Sequence, residues 1–148
     1  MGSTTTSQRV LFTVVAAAVL ATTIHYADNY SSFEKYPQGS VAFVEVTSTI
    51  VGLTWLLLTP VGMLGCWLYT RGSMFAAYGS LAIYSIVGLT TPIHYTEAGL
   101  SSFPWWRNVS ILTDGVTGAA VVAFVLWSAL LAQEWHHESP SAPKGAWQ

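Results

Sequence analysis

Charge is what this chain has least of. Only 8% of its 148 residues are Asp, Glu, Lys or Arg, against about a quarter in a soluble domain. So few charges cannot cover the surface of a water-soluble globule. Basic residues number five and the net charge is −2, so there is no cationic stripe for a nucleic-acid backbone. Cysteine is nearly absent too. The single Cys66 sits in an apolar run, which excludes a disulfide framework and a cysteine-based metal knuckle. It reads as a small buried hydrophobe.

What the chain does have is apolar length. Hydrophobic residues make up 52% of it, with seven Trp and seven Tyr suited to interfacial belts. A bilayer core about 30 Å thick needs about 20 apolar residues per helix. Four stretches qualify: Val10–Tyr26, Val41–Tyr69, Met74–Tyr95 and Val109–Leu131. Arg9 before the first run has the outline of a signal peptide. Cleavage there would discard half of the repeated polar site described below, so the run is read as a span.

The connections are short. Asn29–Ser40, with Pro37 and Gly39, forms the first; Arg71-Gly72-Ser73 predicts a tight turn; Pro92 is expected to kink or end the third span. Trp105-Trp106-Arg107 reads as an interfacial anchor before the fourth. From Gln133 onward the chain is polar, and the His136-His137 pair there reads as solvated. Arg9, Arg71 and Lys144 lie on one side and Lys35 and Arg107 on the other, which favours cytoplasmic termini. The expectation is an all-α integral membrane four-helix bundle over residues 1–132, followed by a polar tail over 133–148.

One spacing occurs twice. His25-Tyr26-x-Asp28 precedes Glu45, and His94-Tyr95-x-Glu97 precedes Asp114, each position 69 residues after its counterpart. Thr22/Thr91, Ile24/Ile93 and Tyr36/Trp105 keep the same register. This predicts two parallel-repeated helical hairpins, about 10–70 and 74–132, related by a pseudo-two-fold axis along the membrane normal. Both polar sets then gather at one end of the bundle. Asp114 lies eight residues past Trp106, roughly 12 Å deeper at 1.5 Å per residue. Ionised carboxylates facing lipid are costly, so Glu45 and Asp114 are expected to face the interior. His25 with Asp28, and His94 with Glu97, sit at the i and i+3 spacing that shares a helix face.

Two chemistries suit such a cluster. In an acid–base enzyme, Glu45, Asp114, His25 and His94 would move protons, with Asp28, Glu97, Tyr26 and Tyr95 lining the substrate. Aromatic rings would steady a developing cation. The reaction class would be double-bond isomerisation or cyclisation of a hydrophobic substrate, for which a bilayer location suits an isoprenoid or a sterol, with no cofactor. The alternative is a divalent metal site, which His-x-x-acid pairs on two helices suggest; zinc, iron or manganese would suit it better than copper(I). A non-enzymatic reading is a small proton-coupled transporter subunit, which would need a homo-oligomer. Gly62, Gly65, Gly115 and Gly118 would allow close helix contact in either case.

The outline resembles the emopamil-binding/sigma-2 receptor (EXPERA) group. The resemblance rests on four spans, a His and an acid ending the first, Phe43-Val44-Glu45 opening the second and Tyr95-Thr96-Glu97 closing the third. It implies a sterol double-bond isomerase working by protonation and deprotonation in a membrane cavity. Matched position by position, it implies site roles for His25, Glu45 and Glu97.

Overall fold

A computed structural model describes residues 5–36, 40–41 and 44–132, with the backbone alone for Ser40, Val41, Val44, Glu45 and Glu97. The tail from Gln133, with His136 and His137, lies outside the described residues. The protein is helical: α1 Thr6–Ser31, α2 Ser48–Thr70, α3 Met74–Thr90, α4 His94–Ala98 and α5 Trp105–Leu126, extended by a wide π turn over Trp127–Leu131. Ser40–Val41 and Val44–Glu45 make a two-residue antiparallel pairing between α1 and α2. Among the described residues four segments are long and apolar enough to cross a membrane: Thr6–Ser31, Ser48–Thr70, Met74–Thr96 and Trp105–Leu131. The expected number and order of spans hold, as for a multi-pass membrane protein.

The helix limits follow from local chemistry. Thr5 and Gln8 form a capping box, the Thr5 hydroxyl accepting from the Gln8 amide and the Gln8 carbonyl from the Thr5 amide. That cap starts α1 earlier than the apolar run alone suggests. Thr47 caps α2 by accepting from the Ile50 amide. This moves the start of the second span from Val41 to Ser48 and leaves Glu45 on an extended segment ahead of the helix. The α2–α3 turn closes with the Ser73 amide on the Leu68 carbonyl and the Gly72 amide on that of Tyr69. Gly72 has φ +78°, the left-handed residue this motif requires. Pro92 does end its helix: α3 stops at Thr90 and a tighter turn carries Thr91–Ile93.

The buried residues recur at alternating steps of four and three. On α1 they are Leu11, Val15, Ala18, Thr22, His25 and Asn29. On α5 they are Arg107, Ile111, Asp114, Gly118, Val121 and then Ser128. Along α3 the same steps give Ala77, Leu81, Tyr84, Gly88 and Thr91. This heptad seam is the one left-handed bundles use. The opposite faces carry Leu20, Leu57, Met63, Phe75 and Leu130, all well exposed. They suit contact with hydrocarbon. α1 packs on α2 and α5, and α3 packs on the same two, so α1 and α3 lie across a diagonal.

The four glycines singled out in sequence are used inside the chain. A Cβ on Gly62 would lie 2.7 Å from the Tyr84 ring, and one on Gly65 would lie 2.8 Å from Leu81. Gly115 faces Pro92, and Gly118 meets Gly88 backbone to backbone. Small residues at such crossings let helices approach closely where no hydrophobic effect drives them together. Gly88→Ala is therefore expected to destabilise by about 1–3 kcal/mol, because its Cβ would meet the Asp114 carbonyl oxygen at 2.5 Å. Gly79→Ala, with nothing within 4 Å, serves as the control and should be neutral or slightly stabilising. Thermal unfolding of both variants in detergent micelles measures the difference.

Candidate functional site

The seam changes character along the bundle. In one half it is apolar: Leu11, Val15, Ala18, Leu81, Val121 and Phe124 pack together. In the other half the same stripe continues with Thr22, His25 and Asn29 on α1, Thr91 and His94 after α3, and Asp114 and Arg107 on α5. Helical spacing sorts these side chains into three layers.

Deepest is Asp114, fully buried. Thr22 donates to its Oδ1 at 2.6 Å and Thr91 to its Oδ2 at 2.6 Å. Both oxygens are thus held by short hydroxyl bonds, the strong kind that a carboxylate accepts. The bonds join α1 and the end of α3 to α5. The expected inward orientation of Asp114 is what the structure has.

One turn up, His25 and His94 face each other with ring centroids 5.6 Å apart. Tyr36 lies over both, at 5.7 Å and 5.0 Å, and Tyr26 meets His25 edge-on at 5.6 Å. Asn29 Nδ2 is 3.3 Å from His94 Nε2; with the amide as donor, the His94 proton sits on Nδ1. His25 is 1% exposed, and its Nδ1 has no hydrogen-bond partner among the described residues. A buried ring nitrogen without a partner costs free energy, and such exceptions in a native fold call for an explanation.

The top layer is an ion pair. Arg107 Nε donates to Asp28 Oδ2 at 2.7 Å and its Nη2 to Oδ1 at 3.3 Å. The Tyr36 hydroxyl also donates to Asp28 Oδ2. The guanidinium stacks between the Tyr36 and Trp106 rings, 4.8 Å from each centroid. Burial, and then the bond to Asp28, push the Tyr36 phenol above its ordinary pKa, so it remains a donor. Asp28, expected nearer water, is largely enclosed, its side chain 17% exposed. Arg107, read as part of an interfacial anchor with two tryptophans, is buried, while Trp105 and Trp106 are exposed.

A cavity of about 290 Å³ opens beside the middle layer, walled by His25, Tyr26, Asn29, Thr54, Thr91 and His94 with apolar residues of α2. Of the eight expected site residues, His25, His94 and Tyr26 border it. Asp114 and Asp28 lie behind that wall, engaged by the threonines and by Arg107. Tyr95 packs on Phe103 instead, with ring centroids 6.1 Å apart. The side chains of Glu45 and Glu97 lie outside the described residues. Among the described residues no three His, Cys, Asp or Glu side chains are grouped as a metal ion would need.

Sequence reading missed Arg107, Tyr36 and Asn29. The first and last carried a usable signal: Arg107 stands one heptad before Asp114, and Asn29 one helical turn after His25. Breaking the ion pair tests its role. Arg107→Gln and Asp28→Asn should each destabilise, and the double variant should cost less than the two together, with a coupling of about 1–3 kcal/mol. Chemical unfolding of the four proteins closes that cycle. No protein-family model matches the chain, and no match is found among curated proteins or solved structures.

Proposed function

We propose that this protein is a membrane-embedded acid–base enzyme, an isomerase or cyclase acting on a hydrophobic isoprenoid or sterol-like substrate. The observation that carries the reading is the facing pair of imidazoles, His25 and His94, at the edge of a cavity among spanning helices. A pair of rings holding one extra proton between them supplies a donor and an acceptor at once. One ring gives a proton to a carbon of the double bond; the other removes one from a neighbouring carbon. The double bond moves, and the pair ends with the same number of protons. The face of Tyr26 offers π density to the cationic intermediate.

The other polar residues position this pair. Asp114 ties together the turns immediately before His25 and His94 through Thr22 and Thr91. Asp28 and Arg107 hold Tyr36 over both rings. In this reading the histidines do the proton transfer, and Asp114, expected from the sequence to move protons with them, orients them through Thr22 and Thr91. Duplication of a two-helix unit is supported by the meeting of two residue pairs in the same register. His25 stacks near His94, and Thr22 and Thr91 donate to one carboxylate. The outline resemblance to the emopamil-binding group points to the same reaction class.

The test uses the full chain in lipid nanodiscs with a panel of isoprenoid and sterol olefins in D₂O. Deuterium should enter a substrate at the isomerised carbon. His25→Ala and His94→Ala should each lower that rate by about 10²–10⁴-fold, the range of general acid–base catalysis. Wild-type exchange in both variants would end the assignment.

A further inference from the structure

We infer that the half of α2 ahead of Pro60 is a hinged gate, which swings outward to admit a substrate from the bilayer to the histidine cavity. This rests on the reading above that the cavity takes a hydrophobic substrate, and it names the helix that lets one in.

A proline inside a helix has no amide to offer the carbonyl four residues back, and its ring crowds that carbonyl. In α2 that residue is Pro60, near the middle of Ser48–Thr70, and the carbonyl it cannot serve belongs to Leu56. The neighbouring Thr59 hydroxyl is buried with no hydrogen-bond partner among the described residues. Helices bend at such points.

The two halves that Pro60 separates are held differently. Beyond it, Gly62 and Gly65 lie against Tyr84 and Leu81, so close that a Cβ would meet them at 2.7 and 2.8 Å. Tyr69 is buried there too, its hydroxyl 3.4 Å from Ser128 Oγ. Ahead of Pro60, Val51 alone among the α2 residues is buried. Open space borders this half: about 270 Å³ against α1 beside Gly52 and Trp55, and the histidine cavity beside Ile50, Val51 and Thr54. Few buried contacts are the mark of a locally weak segment.

The other spans do not share this looseness. Asp114 ties α5 to Thr22 of α1 and to Thr91 after α3, Arg107 ties α5 to Asp28, and Asn29 reaches His94. All of these bonds bypass α2. Among the described residues, one side-chain hydrogen bond joins the first half of α2 to another helix, from Trp55 Nε1 to Thr23 Oγ1 at 3.2 Å. When this half leans away, the cavity loses its apolar wall and opens, while the polar cluster keeps its geometry. The lever is long enough to matter. Thr49 stands eleven residues before Pro60, about 16 Å along the helix at 1.5 Å per residue. A bend of about 20° carries it roughly 5–6 Å.

Pulsed electron paramagnetic resonance measures that movement, on full-length protein in lipid nanodiscs with Cys66→Ala removing the native thiol. Nitroxides are placed at Thr49 and Val109, both exposed. They sit on α2 and α5, which lie across the second diagonal of the bundle, so an outward swing lengthens the distance. Two populations about 5–6 Å apart are expected. A second pair at Leu64 and Leu126, in the tightly packed half, should give one. Pro60→Ala should collapse the first pair to its shorter distance, and Trp55→Phe, which removes the one tie, should enlarge the longer population. A single narrow distance between Thr49 and Val109 that Trp55→Phe leaves unchanged would overturn the gate. Deuterium exchange into an olefin alongside that single distance would remove the gate and keep the enzyme. Two populations without any exchange would keep the gate and remove the chemistry.

Discussion

A carboxylate or guanidinium buried among apolar helices has no water to fall back on, so its partners must come from the bundle itself. That constraint organises the half of the molecule that carries the site. Asp114 is met by two hydroxyls, Asp28 by Arg107 and Tyr36, and His94 by Asn29. Each of these contacts joins different elements, so satisfying the polar groups also fixes how the helices sit. Packing of the apolar half, with glycines under Tyr84 and Leu81, sets the distances across which those bonds can form. His25 Nδ1 is one of five buried side-chain atoms left without a partner among the described residues.

The heptad seam explains how one chain serves both ends. Steps of four and three keep a single stripe facing inward over the full length of a helix. Swapping Leu11, Val15 and Ala18 for Thr22, His25 and Asn29 along that stripe changes its chemistry without changing its direction. At the opposite end the pattern closes on Ser128, buried in the π turn and 2.8 Å from the Tyr78 hydroxyl.

Much of this was legible in the sequence. The four spans were, because apolar length is a property of each segment alone. The inward orientation of Asp114 was, because facing lipid would be prohibitive. The register linking His25 to His94 and Thr22 to Thr91 named side chains that do come together. What escaped were features set by partners distant in the chain. Arg107 beside two tryptophans looks like an interfacial anchor until Asp28, 79 residues earlier, is seen to bind it. Glu45 looks like the opening of a span because its neighbours are apolar, but Thr47 caps the helix two residues later. Tyr36 has no local signal at all; its place over both histidines depends on how the loop after α1 folds back.

The central claim is that two histidines far apart in sequence meet inside the bundle. The chain has four histidines; replacing His136 and His137 with asparagine leaves only His25 and His94. Solid-state NMR of that variant in lipid bilayers, labelled in the imidazole rings, reads their proximity directly. A ring-to-ring correlation between His25 and His94 is the predicted result. Two resolved imidazoles with no correlation between them would contradict the arrangement and the chemistry built on it.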